Sequence, residues 1–186
     1  KMLVNDDGFN GVVIKIAMRS QVISEDIVIA DAGVLSSSLA RTTAKAGLKG
    51  LVWAVSLPGT IGGAVRGNAG CFGGEIKDNL ISVEVLRDGD VITLKKEDLN
   101  FGYRESSIKH SDDIVLSAKF RLKKDNPSKL LKELDEKLQH RKDSQPLDAG
   151  SAGCLFKNYE IKDDDELQRL GNIFDIPIEM RDSRRI

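Results

Sequence analysis

The residues best suited to chemistry lie in a glycine-rich stretch near the middle of the chain. Nine of the 17 glycines fall between Gly47 and Gly74, and these 28 residues carry only two charges, those of Lys49 and Arg66. Successive glycines allow backbone N–H groups to converge on one anion, which suits a phosphate or pyrophosphate. The pattern predicts a cofactor loop made of Pro58, Gly59, Thr60, Ile61, Gly62, Gly63, Ala64, Asn68, Ala69 and Gly70.

Two interpretations of this loop stay open at the level of the residues. Its small alanines, Ala64 and Ala69, would allow a flat ring system to lie against the backbone. The alternative is a tight glycine-rich connection inside a β-rich core, which needs the same residues for packing alone.

Several other kinds of site are excluded by the residues they need. The two histidines, His110 and His140, are isolated, and no H-E-x-x-H motif occurs, so no metal site is predicted. There is no G-x-x-x-x-G-K-[ST] phosphate loop and no G-x-G-x-x-G dinucleotide turn. Cys71 and Cys154 stand 83 positions apart without a C-x-x-C partner, which argues against a disulfide framework.

Composition narrows the class of protein further. The 186 residues carry 28 basic and 29 acidic side chains, and the near-balance gives no electrostatic footprint for nucleic acid. Aromatic residues make up only 5%, too few for stacking platforms along a single strand. The longest apolar run, Leu51–Pro58, is far short of the roughly 20 residues that a membrane helix needs. We therefore expect a cytoplasmic protein without nucleic-acid or membrane partners.

Local patterns predict the elements that must position the loop. Short β-branched runs predict strands, Asp88–Gly89–Asp90 predicts a hairpin turn, and apolar residues at helical spacing predict helices. The predicted strands are Val12–Ile16, Ile27–Ile29, Leu80–Leu86, Val91–Leu94 and Ile114–Leu122. The predicted helices run from Leu35 through Thr43 to a stop at Gly47, from a cap at Asp125 or Asn126 through Leu138, and from Asp163 to Phe174. This mixture indicates an α+β fold.

Four motifs in order along the chain resemble the MurB family of UDP-N-acetylenolpyruvoylglucosamine reductases. They are Leu57–Gly70 (LPGTIGGAVRGNAG), Phe101–Ser106 (FGYRES) with Ile114–Ala118 (IVLSA), Gln145–Leu147 (QPL) and Ser151–Asn158 (SAGCLFKN). The resemblance extends over roughly residues 3 to 158, and four ordered motifs make it far more specific than one glycine loop.

This resemblance implies a domain organisation and a reaction. It implies an FAD-binding domain of the vanillyl-alcohol-oxidase (PCMH) type at residues 1–124, a connecting helix at 125–142 and the start of a MurB-type C-terminal substrate domain at 143–186. The implied reaction is the NADPH-dependent reduction of UDP-N-acetylglucosamine enolpyruvate to UDP-N-acetylmuramate in peptidoglycan synthesis. FAD is the implied cofactor, NADPH the hydride donor, and the UDP-sugar enolpyruvyl ether the substrate.

The resemblance also implies roles for individual residues. Taken alone, Arg104 would be a surface arginine and Cys154 a small buried hydrophobe. The family pattern instead implies that Arg104 holds the substrate carboxylate and stabilises the enolate, and that Cys154 donates the proton that quenches it. Tyr103, Lys157 and Asn158 are implied substrate contacts.

The chain departs from the family pattern at three places. The family's glycine-rich loop just before Leu3 is missing, Tyr159 stands where the family has proline, and the family's catalytic glutamate would lie beyond Ile186. We therefore expect an internal piece of a longer protein, incomplete at both ends and inactive by itself. The alternatives are another FAD-dependent oxidoreductase of the same superfamily and a non-catalytic flavin-binding fragment.

Overall fold

The computed structural model describes residues 4–145, 154, 156–159 and 161–174. The chain forms two compact units, Lys1–Gly150 and Ser151–Ile186. The strands are β1 (Gln21–Ser24), β2 (Ile27–Asp31), β3 (Leu48–Lys49), β4 (Gly70–Cys71), β5 (Gly74–Glu75), β6 (Leu80–Arg87), β7 (Asp90–Lys95), β8 (Ile114–Arg121) and β9 (Lys123–Lys124). The helices are α1 (Ser36–Lys45), α2 (Ile61–Arg66), α3 (Pro127–Ser144) and α4 (Asp164–Phe174). Short 3₁₀ turns lie at Val52–Ser56, Ile76–Asp78, Lys96–Leu99 and Ser107–His110.

A five-stranded antiparallel sheet, in the order β1-β2-β8-β6-β7, is the centre of the first unit. Its inner strands place Val28, Val83 and Phe120 in the core, where they are almost fully buried. The β6–β7 connection has positive φ at Asp88 (51°) and Gly89 (93°), as two-residue hairpin turns require. The predicted strands at 27–29, 80–86, 91–94 and 114–122 and the predicted hairpin are therefore confirmed.

The helices of this unit pack apolar stripes into the same core. Leu39 of α1 and Leu130 and Leu134 of α3 are fully buried. The N-cap of α3 is Asn126, whose side chain accepts a hydrogen bond from the Lys129 backbone N–H at 3.1 Å. An antiparallel sheet with helices packed beside it is the predicted α+β arrangement.

Helix α3 lies in the region where a connecting helix is expected, residues 125–142. It packs against α1 and against the 3₁₀ turn at Val52–Ser56, so it belongs to the first unit. Its two fully buried leucines, Leu130 and Leu134, explain this, because they need a partner surface within the unit. The expected functional bounds, at 1–124, 125–142 and 143–186, stay predictions.

The strand predicted at Val12–Ile16 is wrong. The structure has no strand there, and the side chains of Val12, Val13 and Ile14 are 84%, 67% and 71% exposed. Residues of this type favour a strand because they fit a pleated, half-buried surface, and in the described residues Ile16 alone of this segment packs against the core. Within those residues, no helix is long and apolar enough to cross a membrane.

Candidate active site

The glycine-rich loop leads into helix α2 and is hydrogen-bonded to the connection between β2 and α1. The Ile61 N–H donates to the Val34 carbonyl and the Gly62 N–H to the Ala32 carbonyl, both at 2.9 Å. Gly59, with φ at 121°, has a conformation that other residues rarely adopt. A short helix therefore stands inside a stretch whose glycines had indicated only a loop.

The glycines of this loop fall into two groups. A methyl group at Gly62 would lie 2.9 Å from the Ala32 methyl, and one at Gly70 would lie 2.6 Å from the Gly74 carbonyl oxygen, so the fold itself needs glycine there. Gly63 and Gly67 differ, because a methyl at either would meet nothing closer than 3.7 Å and neither has positive φ. Glycine lowers helix stability relative to alanine by about 1 kcal/mol, so packing within the fold does not explain why residue 63 is glycine. The close approach of a ligand would supply one.

Two buried hydroxyls flank the same loop. The Oγ atoms of Ser36 and Ser56 are shielded from solvent and have no hydrogen-bond partner among the described residues. Ser56 lies two residues before Pro58, the first residue of the loop, and the Ser36 backbone N–H donates to the Gly59 carbonyl at 3.1 Å. Buried polar atoms are normally paired, so these two fit a site that binds an oxygen-rich group such as a pyrophosphate.

The predicted cofactor residues divide by where their side chains lie. Ile61 and Ala64 are buried in the core, and Asn68 is fully buried, so their side chains support the loop from within. This differs from the expectation that Ala64 makes room for a flat ring, a role now left to the half-buried Ala69. The loop exposes Pro58 and Gly63 and leaves Gly59, Thr60, Gly62 and Gly70 half-buried. Their roles toward a cofactor stay predictions.

Tyr103 and Arg104 form the tip of a tight turn. Gly102 and Glu105 exchange two backbone hydrogen bonds across it, at 3.1 and 3.3 Å. Arg104 has φ at 54°, in the left-handed region, which costs a non-glycine residue roughly 1–3 kcal/mol. The structure therefore presents an arginine where glycine would be conformationally easier.

The side chain of Arg104 joins this turn to the end of the glycine-rich loop. Its Nη2 donates to the Gly70 carbonyl at 2.6 Å, and its guanidinium carbon lies 4.8 Å from the centre of the Tyr103 ring. A guanidinium has five N–H donors, and a bidentate contact with a carboxylate uses two of them. The structure thus brings the predicted substrate residues of this unit beside the predicted cofactor loop.

Cys71, next to Gly70, has a group of basic neighbours that the sequence alone did not indicate. Partial burial raises the pKa of its thiol, while the positive charges of Arg141, Arg104 and Lys137 act to lower it. The adjacent Phe72 ring packs against α3, with the Lys137 ammonium 5.2 Å from its centre. No local sequence pattern predicts these basic neighbours, because Lys137 of α3 lies 65 residues after Phe72 in the chain.

Cys154, Lys157 and Asn158 lie in the second unit, and all three side chains are exposed. Their roles stay predictions. Tyr159, where the family has proline, donates a hydrogen bond from its hydroxyl to Glu166 Oε1 of α4 at 2.8 Å. Accepting this bond, the Glu166 carboxylate raises the pKa of Tyr159. In the part of the chain that the structure describes, no three His, Cys, Asp or Glu side chains group closely enough to hold a metal ion.

Comparison with known proteins identifies proteins that are similar to this chain. The family model described as "FAD binding domain" matches residues 1–95. The UDP-N-acetylenolpyruvoylglucosamine reductases of Pediococcus pentosaceus and Clostridium novyi are 37% and 40% identical over 84% and 86% of this chain. These alignments cover 53% and 52% of the relatives, so the chain spans about half the length of the curated relatives it matches.

A solved structure agrees with the sequence comparison. The crystal structure of UDP-N-acetylenolpyruvylglucosamine reductase (MurB) from Thermus caldophilus superposes with a TM-score of 0.63 at 39% identity. The match covers 70% of this chain and 48% of that one. The predicted resemblance, the α+β fold class and FAD as the cofactor of the family are confirmed. The chain belongs to the FAD binding domain family and, within it, resembles the MurB reductases.

Proposed function

We propose that this chain forms the FAD-binding domain and the start of the substrate domain of a UDP-N-acetylenolpyruvoylglucosamine reductase. The reaction would reduce the enolpyruvyl ether of UDP-N-acetylglucosamine with NADPH, in the cytoplasm, during peptidoglycan synthesis. The observation that supports the proposal is the hydrogen bond from Arg104 to the Gly70 carbonyl, which holds a guanidinium suited to a carboxylate beside the glycine-rich loop. A domain that only bound flavin would have no need for a strained arginine at this position.

The residues around the loop fit FAD. The surface left open at Gly63 and Gly67 admits a flat or extended ligand against the backbone, and Ser36 and Ser56 offer two unpaired hydroxyls beside it. When bound, FAD supplies the hydride chemistry that links NADPH to the substrate. The task left to the protein is to position the substrate, stabilise charge and deliver a proton.

Arg104 would bind and polarise the substrate. Its guanidinium can hold the enolpyruvyl carboxylate through two parallel N–H···O bonds while the bond to Gly70 keeps the side chain in place. As charge develops toward an enolate, the fixed positive charge stabilises it, a contribution of about 3 kcal/mol for one such donor. Tyr103, at the same turn, would contact the substrate beside it.

Cys154 would donate the proton. Its thiol S–H can transfer the proton to the carbon next to the carboxylate as the enolate collapses. The exposed position of Cys154 in the second unit leaves its sulfur accessible to a substrate, and Lys157 and Asn158 lie three and four residues further on. Lys157 would contact the substrate through its positive charge, and Asn158 through its carboxamide.

Absorbance of the flavin band tests this function in two steps. The natural protein that carries these residues is loaded with FAD under anaerobic conditions, mixed with NADPH and then with the enolpyruvyl substrate. We expect NADPH to bleach the band and the substrate to restore it. Bleaching without recovery would indicate another FAD-dependent oxidoreductase, and bound flavin without bleaching would indicate a non-catalytic flavin-binding module.

A further inference from the structure

We propose that Asn68 is a positioning residue, which holds the turn that carries Arg104 against the glycine-rich loop. This assigns Asn68 to the placement of the substrate-binding arginine and takes it out of direct contact with the cofactor. The inference rests on the proposed function, because Arg104 is taken to bind the substrate carboxylate.

The side chain of Asn68 is completely buried and its hydrogen bonds are internal. Its Nδ2 donates to the Gly102 carbonyl at 2.8 Å and to Glu75 Oε2 at 2.6 Å. Its Oδ1 accepts from the Lys77 backbone N–H at 3.1 Å. The carboxamide has two N–H donors, and both are used. No N–H donor of the Asn68 side chain therefore remains for a flavin.

Asn68 acts on the main chain of the turn through Gly102. The Gly102 carbonyl accepts both the Asn68 carboxamide and the Glu105 N–H that closes the turn. This turn contains the left-handed Arg104, a conformation that persists only where the surroundings impose it. Because the Asn68 bond enters from a segment 34 residues away, it fixes the turn to the rest of the domain.

Asn68 also supports the side chain of Arg104 through Glu75. Glu75 is the strand partner of Gly70 in the β4–β5 pair, and the Gly70 carbonyl accepts the guanidinium bond at 2.6 Å. One carboxamide therefore contacts the turn that carries Arg104 and the strand pair that fixes its guanidinium.

A purely structural role makes a different prediction. Asn68 also follows the end of α2 with φ at 40°, and its N–H donates to the Val65 carbonyl at 3.1 Å. If it served only to end this helix, replacing it would lower stability and leave Arg104 as effective as before. If it positions Arg104, the effect of replacing it should disappear once Arg104 is absent.

The test is a double-mutant cycle in the FAD-loaded natural protein. Asn68→Gly removes the carboxamide, and glycine tolerates the positive φ. We expect its reoxidation by the substrate to fall about tenfold or more with a raised KM, while FAD affinity and flavin reduction by NADPH stay within about twofold. Adding Asn68→Gly to Arg104→Ala should cause no further loss. An equal loss in both Arg104 backgrounds, or weakened FAD binding, would overturn the proposal.

Asn79→Gly is the matched control. Asn79 is half-buried and its Nδ2 donates to the Gly50 carbonyl at 3.0 Å, a comparable bond that does not involve the turn. We expect this variant to lose stability without slowing reoxidation. If Asn68→Gly does not fold, Asn68→Asp with Glu75→Gln restores a carboxamide–carboxylate bond between the two side chains but leaves Gly102 without its donor. Normal reoxidation in that variant would overturn the proposal.

A spectroscopic measurement separates this proposal from the proposed function. The Nη signals of Arg104 in ¹⁵N NMR report restricted rotation of a hydrogen-bonded guanidinium, whether or not the protein turns over. We expect restricted signals in the wild type and in Asn79→Gly, and averaged signals in Asn68→Gly. Unchanged restriction in Asn68→Gly would refute positioning, whereas a wild-type protein that fails to reduce the substrate would refute only the proposed function.

Discussion

Arg104 shows at the scale of one residue how a side chain can be held in one orientation at a conformational cost. Its φ of 54° belongs to glycine-like backbone, yet its guanidinium reaches Gly70 at 2.6 Å and packs on Tyr103. Strained backbone of this kind is common where a side chain must have one orientation. The conformation therefore indicates that the domain retains arginine here for its side chain.

Replacing Arg104 should separate stability from activity. We expect Arg104→Gly to be more stable than Arg104→Ala by about 1 kcal/mol, because glycine tolerates positive φ. Both variants should be reoxidised by the substrate about a hundredfold more slowly, with flavin reduction by NADPH nearly intact. Thermal unfolding and the two half-reactions measure these effects. An equal slowing of both half-reactions would contradict a role confined to the substrate.

Cys154 allows a second prediction for a single residue. Cys154→Ser keeps a transferable proton and should retain much of the activity, whereas Cys154→Ala should slow protonation of the enolate by roughly 10²–10⁴-fold. The NADPH half-reaction is the internal control and should not change in either variant. Rapid-reaction kinetics of the second half-reaction measure the effect. Normal turnover of the alanine variant would remove Cys154 from the mechanism.

At the scale of an element, helix α2 presents two kinds of glycine side by side. Gly62 lies against Ala32 of the core, while Gly63 is exposed with open space around it. Because the two residues are adjacent in one helix, they form a natural pair of variants. A substitution at Gly62 tests what folding requires, and a substitution at Gly63 tests what a bound ligand requires.

The alanine variants of this pair should behave in opposite ways. We expect Gly63→Ala to leave stability unchanged or to raise it by up to about 1 kcal/mol, and to weaken FAD binding at least tenfold. Gly62→Ala should lower stability by roughly 1–3 kcal/mol through overpacking against Ala32. Thermal unfolding without FAD and a fluorescence titration with FAD provide the measurements. Unchanged FAD affinity in Gly63→Ala would exclude this surface as the cofactor site.

The β6–β7 hairpin allows a prediction about pH. Arg87, at the end of β6, binds both carboxylate oxygens of Asp113 at 2.6 Å, and this hydrogen bonding holds the pKa of Asp113 below its usual range. The stabilisation is complete above the unfolded pKa of about 3.9 and is lost as the pH falls through the lower folded pKa.

Acid unfolding with and without the carboxylate measures this contribution. Because the Arg87 side chain is about half exposed, at 45%, solvent screens the pair and we expect a small contribution. The unfolding temperature of the wild type should therefore fall slightly more steeply than that of Asp113→Asn as the pH drops below about 4. Parallel curves would show that the pair contributes nothing measurable.

At the scale of the whole molecule, α3 forms part of the core of the first unit. Leu134 is fully buried, and the helix packs on α1 and on the turn at Val52–Ser56. We expect Leu134→Ala to lower the free energy of unfolding by about 3 kcal/mol, since it leaves a cavity in the core. Leu131→Ala, at a half-buried position of the same helix, should cost clearly less. Similar small losses in both would mean that α3 is a connector after all.

The sequence by itself determined the features that neighbouring residues encode. The hairpin at Asp88–Gly89, the strands around it, a helix start at Asp125 or Asn126 and the place of the glycine-rich loop follow from spacing and residue type. Such patterns reflect local backbone preferences, which act within a few residues. The ordered motifs also identified the family, because each is specific and together they extend over most of the chain.

Only the tertiary structure decided which side chains meet across long distances in the chain. The bond from Asn68 to Gly102 joins residues 34 positions apart, and no local pattern distinguishes a supporting asparagine from a ligand-binding one. The exposed side chains of Val12, Val13 and Ile14 have the same cause, since strand formation and burial depend on the partner surface that the rest of the chain supplies. The spacing of the glycines indicated where the candidate site lies, and tertiary packing decided which of its residues face outward.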